Sequence, residues 1–234
     1  MISAVLLVPA APWLIPSVAP PLSAAQTTLR GAVQDLIGAT EVDRWAALGV
    51  APTRSRPRWD QDVPMELGRD PYRGGGAASA LPGSYWVARA LLGSVPLAAG
   101  SLAPPDGDGA PVRAGLRDLV ADPRSHALLV TADGSAAHGE HAPGAPDERA
   151  AGYDAALQAA LAGGPTGTRA WLGSAAGSLA LAAELGATMP AALRVVLEVL
   201  DEDPTDGAAQ WTAGARDVCA PHGVGHHVAR WVRR

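Results

Sequence analysis

Five side chains that can donate, accept or coordinate follow a short apolar run in the middle of the chain. The run covers residues 127–131 and stops at an Asp133-Gly134 turn. The polar residues after it are Ser135, His138, Glu140, His141 and Asp147. Short apolar runs that end in a turn are typical of central parallel strands, and ligands of open α/β sheets bind beyond the carboxyl ends of such strands. We therefore predict a site here, with Asp133, Ser135 and His138 as its catalytic residues.

A second group of histidines lies near the carboxyl terminus, at positions 222, 226 and 227. In a regular strand alternate residues share a face, so His222 and His226 would point one way and His227 the other. If this segment and the loop after residue 131 line one cleft, a divalent metal such as Fe(II) or Zn could bind there. Its ligands would be His138, His141, His222 and His226. The other interpretation, which we adopt, places these histidines at core or rim positions and requires no cofactor.

Two further chemistries receive little support from the spacing. Ser135 lacks the Gly-x-Ser-x-Gly elbow of a nucleophilic serine. The glycines at 74–76 and 163–167 have neither the Gly-x-Gly-x-x-Gly pattern after a strand nor a P-loop lysine, so nothing indicates nucleotide binding. Asp133 has two open interpretations, because a carboxylate at a strand end can orient a ligand or hold the turn itself.

The composition limits the class of protein. All 18 basic residues are Arg and are scattered along a chain of formal net charge −5, which argues against a nucleic-acid interface. No apolar run of 20 residues predicts a membrane span. The lone Cys219 cannot form an internal disulfide, which fits a reducing cytoplasm. The expected partners are a small-molecule ligand and, as an open alternative, further copies of the same chain.

The order of the predicted elements positions these residues. Apolar runs and turn residues predict an α/β fold, a single domain over residues 1–234 with a central mixed sheet flanked by helices. The predicted strands are 2–8, 44–50, 127–131, 211–219 and 223–232, the last two as an antiparallel pair. The predicted helices are 22–37, 81–92, 112–120, 148–162, 168–186 and 190–201, with Asp147 as the cap of the fourth. Residues 51–80 are expected to form a long loop or flap.

Three segments, in this order, resemble the class III extradiol ring-cleavage dioxygenases. They are the loop Pro9-Ala10-Ala11-Pro12 after the first strand, the Asp133-Gly134-Ser135 turn, and the closing segment 220–229. The similarity spans nearly the whole chain and is greatest to an alanine-rich actinobacterial branch. It implies a LigB-like α/β fold and a cleft that Ala10 and Trp13 line together with Asp133, Ser135 and His138.

The same resemblance implies that the usual chemistry is lost. The family binds Fe(II) through histidines after the first and second strands, but Ala10 stands at the first position and no histidine precedes His126. The acid/base histidine of the family is replaced by Ala136. We therefore expect a divergent member that has lost iron-dependent ring cleavage and serves as a binding or assembly protein. Ala10, Trp13, His141, His222 and His226 are its predicted binding residues. The alternative is an enzyme on the same scaffold that acts on a small aromatic or other small molecule, either without a metal or with the relocated histidine site.

Overall fold

A computed structural model describes residues 1–15, 21–51, 83–95, 97–106, 108–203 and 210–234. The strands are β1 (Ile2–Val8), β2 (Arg44–Val50), β3 (Leu97–Ala103), β4 (His126–Thr131), β5 (Trp211–Cys219) and β6 (His226–Arg233). The helices are α1 (Ala24–Gly38), α2 (Gly83–Leu92), α3 (Ala110–Ala121), α4 (Arg149–Ala162), α5 (Gly164–Leu172), α6 (Leu179–Glu184) and α7 (Met189–Asp201). Single 3-10 turns cover Pro12–Leu14 and Pro221–Gly223.

All six strands form one mixed sheet in the order β3-β2-β4-β1-β6-β5. The first four in that order are parallel, whereas β6 runs antiparallel to both β1 and β5. The fold class is therefore α/β, as predicted, and the antiparallel pair at the carboxyl terminus is confirmed. Because β1 and β4 are parallel neighbours, with Val8 opposite Thr131, the loops that follow them leave the sheet at the same edge.

The sheet carries a hydrophobic core on each face. Alternate residues of a strand point to opposite faces, and in β1 Val5 and Leu7 join the core under α3, α4 and α7. Leu6 and Val8 join the second core, which contains Leu29 of α1 and residues of α2. Polar side chains at the sheet edge can contact each other only if they lie on the same face. Within the described ranges, no helix is both long and apolar enough to cross a membrane.

Several predicted boundaries were wrong, and one strand was not predicted. No strand was predicted at 97–103, where β3 lies, because its Ala, Gly and Ser residues have little strand preference. The predicted helix 168–186 is instead α5 and α6, separated by residues 173–178. The predicted strand 223–232 begins only at His226, after the 3-10 turn. Apart from Ala51, the predicted flap at 51–80 lies outside the described residues.

Side chains at the starts of α1 and α4 accept free backbone amides of the first turn. Ser23 and Gln26 form a reciprocal capping box at the start of α1, in which each side chain accepts the backbone N–H of the other. Asp147 lies two residues before α4, and its carboxylate accepts the N–H of Arg149 at 2.8 Å. It therefore satisfies one of the free amides of the first turn, although Glu148 is the residue that borders the helix.

Candidate functional site

The loops after β1 and β4 meet at the predicted edge of the sheet. The backbone N–H of Ala10 donates to Oδ1 of Asp133 over 3.1 Å. Asp133 is partly exposed, whereas the strands that position it are fully buried at their ends. The expectation that Ala10 and Asp133 lie side by side is thus confirmed.

His226, the first residue of the antiparallel strand β6, completes this group. Its Nδ1 lies 2.9 Å from Oδ1 of Asp133. The side chain of His226 is 4% exposed and that of Asp133 is 22% exposed, so the pair lies at the boundary between core and solvent. The ring of Trp13 meets the ring of His226 edge to face, with centroids 5.3 Å apart at 70°. We call Ala10, Trp13, Asp133 and His226 the Asp133 site.

The hydrogen bonds of the Asp133 site leave acceptor atoms for a ligand. Both contacts to the carboxylate fall on Oδ1, and no described residue hydrogen-bonds Oδ2. A carboxylate only accepts, so Nδ1 of His226 carries the hydrogen of that contact. In the neutral ring Nε2 then keeps its lone pair. A carboxylate that orients an imidazole in this way is a feature of acid–base catalytic sites.

The backbone of Asp133 is held as firmly as its side chain. Its N–H donates to Oγ1 of Thr188 at 2.9 Å, and its carbonyl accepts the N–H groups of Thr188 and Met189. Met189 is the first residue of α7, so the helix start fixes the end of β4. A ligand at this site would therefore meet a group that is already positioned, which lowers the entropic cost of binding.

A second polar group lies on the opposite face of β6. Asp154 of α4 accepts the backbone N–H of Ser135 at 3.1 Å and contacts Nε2 of His138 at 2.5 Å and Nε2 of His227 at 3.0 Å. Nδ1 of His227 lies 3.0 Å from Oε1 of Gln158. We call Asp154, His138 and His227 the Asp154 cluster. Because His226 and His227 are consecutive in a strand, they serve the two groups on opposite faces.

Asp154 and His227 form the buried part of the Asp154 cluster, whereas the side chain of His138 is 19% exposed. Asp154 is 2% exposed and His227 is fully buried. Burial raises the pKa of the Asp154 carboxyl, but the hydrogen bonds from His227 and His138, the charge of His227 and the N–H of Ser135 outweigh burial. The pKa of Asp154 is therefore held below its ordinary value. Such a carboxylate is ionised at neutral pH and stabilises the loops that surround it.

Two glycines make room for the buried carboxylate. A Cβ added to Gly134 would lie 2.2 Å from Oδ1 of Asp154, and one added to Gly225 would lie 2.0 Å from Oδ2. The two glycine segments are also hydrogen-bonded to each other, since Gly134 donates to the carbonyl of Gly225 and Gly225 donates to that of Ser135. The turn after β4 and the start of β6 are therefore joined around Asp154.

The remaining predicted residues are dispersed. Ser135 is fully buried, and its hydroxyl donates to the carbonyl of Leu185 and accepts the N–H of Ala137, which is the role of a residue that stabilises a turn. His141 is exposed. His222 is exposed and lies in the 3-10 turn with a φ of 58°, and its Nε2 contacts the amide nitrogen of Gln26 at 3.1 Å.

The expected arrangement of the histidines was wrong in one respect. His222 and His226 do not share a strand face, because the chain turns at His222 and the strand starts only at His226. His138 contacts Asp154 and His226 contacts Asp133, on opposite faces of the sheet. Within the part of the chain that the structure describes, no three His, Cys, Asp or Glu side chains form a group that could hold a metal ion.

Asp154 and His227 were not predicted as site residues, although one signal for Asp154 exists. In α4 it lies four residues after the buried Ala150 and three before the buried Leu157, which places a carboxylate on the apolar face of the helix. A charged residue on such a face needs a partner. The sequence does not indicate which histidine supplies it.

A separate groove of about 340 Å³ lies away from both polar groups. It is formed by Leu36 of α1 together with residues of β5 and β6, including Val228 and Arg230. None of the predicted site residues line it, so its volume carries no information about the chemistry at the sheet edge.

Comparison with known proteins adds no assignment. No family model matches the chain. No curated protein matches it either. The resemblance to the extradiol dioxygenases therefore stays a prediction from the sequence segments quoted above.

Proposed function

We propose that the protein binds a small molecule at the Asp133 site and does not catalyse iron-dependent ring cleavage. The observation that carries the proposal is the partly exposed carboxylate of Asp133. Ala10 and His226 hold it through Oδ1, while Oδ2 has no described hydrogen-bond partner and the indole of Trp13 lies beside the pair. A few positioned polar atoms beside an aromatic surface are typical of small-molecule sites.

The scaffold we propose is that of the class III extradiol dioxygenases, and the departure from their motifs supports a binding role. The first ligand position of the family corresponds to Ala10, whose side chain is a methyl group without a donor atom. The position of the acid/base histidine corresponds to Ala136. We also propose a cytoplasmic location, which the lone Cys219 supports.

The binding proposal predicts a local response to small aromatic compounds. We expect catechol, benzyl alcohol or benzylamine to shift the indole N–H resonance of Trp13 in ¹⁵N-tryptophan-labelled protein, in the presence of a chelator. Trp13→Phe assigns the resonance among those of the seven tryptophans. His226→Gln should weaken the response, whereas His141→Gln, which replaces an exposed histidine, should leave it unchanged. If none of the three compounds moves the Trp13 resonance, the proposal is wrong.

Iron-dependent ring cleavage should be absent and should not be restored by one substitution. We expect no turnover of protocatechuate or catechol by protein loaded anaerobically with Fe(II) and then exposed to O₂. Ala10→His should remain inactive, because it supplies one ligand while Ala136 leaves the acid/base position empty, and that contribution is commonly worth roughly 10²–10⁴ in rate. Oxygen uptake measures the reaction. Turnover that disappears in His138→Ala or His222→Ala would instead establish a relocated metal site.

The second candidate function is metal-independent acid–base catalysis. The observation that favours it is the orientation of His226 by Asp133, which leaves Nε2 for proton transfer. Decarboxylation of protocatechuate to catechol and CO₂, which needs only the delivery of a proton to the ring, would support this candidate if it persists under excess chelator. His226→Gln should abolish the reaction in protein whose tryptophan indole spectrum shows that it is folded.

A further inference from the structure

We propose that the Asp133 site selects organic cations, in particular a primary ammonium group attached to an aromatic or other apolar body. The inference rests on the proposed binding function and adds the charge of the ligand to it. It follows from which atoms of the site already have hydrogen-bond partners and from the charge of the carboxylate that faces a ligand.

The Asp133 site has a defined hydrogen-bond polarity. Oδ1 of Asp133 takes both donors of the site, from Ala10 and His226, and Oδ2 is an acceptor with no partner among the described residues. When its ring is neutral and its hydrogen lies on Nδ1, His226 offers a second acceptor at Nε2. The side chain of Ala10 offers neither. The atoms left to a ligand are therefore acceptors, which calls for a ligand that donates.

Charge is the second property that the Asp133 site presents to a ligand. Within the described ranges, His226 is the only basic side chain within 4.0 Å of Asp133, and the chain contains no lysine. The carboxylate of Asp133 lies at a partly exposed position, and with a neutral imidazole beside it the pair has one negative charge. A carboxylate or phosphate ligand would meet this charge, and no described arginine lies within 4.0 Å of Asp133 to offset it. A cation gains from it, and bonds between charged partners are roughly twice as strong as neutral ones.

Trp13 provides an aromatic surface beside the pair of Asp133 and His226. Trp13 is partly exposed and its ring is held against His226. The face of an indole attracts cations, and its area also covers the apolar body of a ligand. A carboxylate next to an indole thus recognises both parts of an aromatic amine. Together these terms favour an ammonium over a matched hydroxyl by about tenfold or more in affinity.

The experiment compares three ligands of one shape and different charge. Benzylamine, benzyl alcohol and benzoate are titrated into the full chain near pH 7 at low salt, and dissociation constants are taken from the Trp13 indole shift. We expect benzylamine to bind about tenfold or more tightly than benzyl alcohol, and benzoate most weakly. Added salt should weaken benzylamine and leave benzyl alcohol nearly unchanged, because salt screens the charge of an exposed pair.

Substitution of the carboxylate locates the preference. Asp133→Asn keeps an acceptor oxygen for Ala10 but removes the charge, so the preference for benzylamine over benzyl alcohol should fall to about twofold or less. Asp147→Asn removes a partly exposed charge elsewhere and should leave the preference intact. If the indole spectrum shows that Asp133→Asn does not fold, the salt dependence in the unmodified chain decides.

Different results would contradict the selection of cations and the binding function. Equal or tighter binding of benzyl alcohol or benzoate at Trp13 overturns the selection of cations and leaves the binding function standing. A Trp13 resonance that none of the ligands moves overturns the binding function itself.

Discussion

Replacing Asp154 by Asn is expected to lower the free energy of unfolding by about 3–5 kcal/mol, the usual cost of removing one partner from a buried charged pair. The carboxylate accepts from His138, His227 and the N–H of Ser135. An amide with its oxygen at the place of Oδ1 still accepts from Ser135 and His227, but it places an N–H₂ group against Nε2 of His138 and removes the charge beside His227. Because Asp154 is 2% exposed, water has little access to the place of the lost acceptor.

Chemical denaturation of both proteins at neutral pH measures this difference. The matched control is Asp147→Asn, which removes a carboxylate paired with the exposed Arg149. That pair is screened by water and salt, so the control should change stability far less. A loss in Asp154→Asn no larger than that in the control would show that the cluster does not stabilise the fold.

The pH dependence of the same comparison has a defined sign. The pKa of Asp154 is lower in the folded chain than its ordinary value of about 3.9. Its contribution to stability is therefore fully present above that ordinary value and is lost as the pH falls through the lower folded value. The difference between the unmodified chain and Asp154→Asn should shrink below about pH 4 through the titration of this carboxyl.

Much of the sheet could be predicted because its central strands are buried on both faces. Continuous apolar runs identify β1, β2 and β4 with boundaries within one residue of those observed. The run in β3 is made of small residues, and strand preference alone does not distinguish it from a loop. Pairing with β2 places it in the sheet, which is a tertiary effect.

Part of the candidate site could likewise be predicted from the sequence, and part could not. The meeting of Ala10 and Asp133 follows from two parallel strands that end at one edge, so the sequence could predict it. The partners of the histidines could not be predicted, because they depend on where β6 begins. The left-handed backbone of His222 shortens the strand by three residues relative to the predicted start and sets the faces of His226 and His227.

The glycine next to His226 gives the second large effect. Gly225→Ala is expected to lower the free energy of unfolding by about 1–3 kcal/mol, because the added methyl would lie 2.0 Å from Oδ2 of Asp154 and 2.6 Å from its Cγ. Asp154 cannot move aside without giving up its bonds to His138 and His227. The control is Gly152→Ala on the exposed side of α4, where an added Cβ has no neighbour within 4 Å. There alanine should raise stability by about 0.5–1 kcal/mol.

A double-mutant cycle tests whether the cost at Gly225 comes from Asp154. Asp154→Ala removes the carboxylate that the new methyl would meet, so Gly225→Ala should cost less in that background than in the unmodified chain. We expect the two losses to fall short of additivity by about 1–3 kcal/mol, as for residues in direct contact. Denaturation of the four proteins gives the coupling. Additive losses would contradict the packing described here, because they would mean that Gly225 is required by its backbone and not by the buried carboxylate that lies against it.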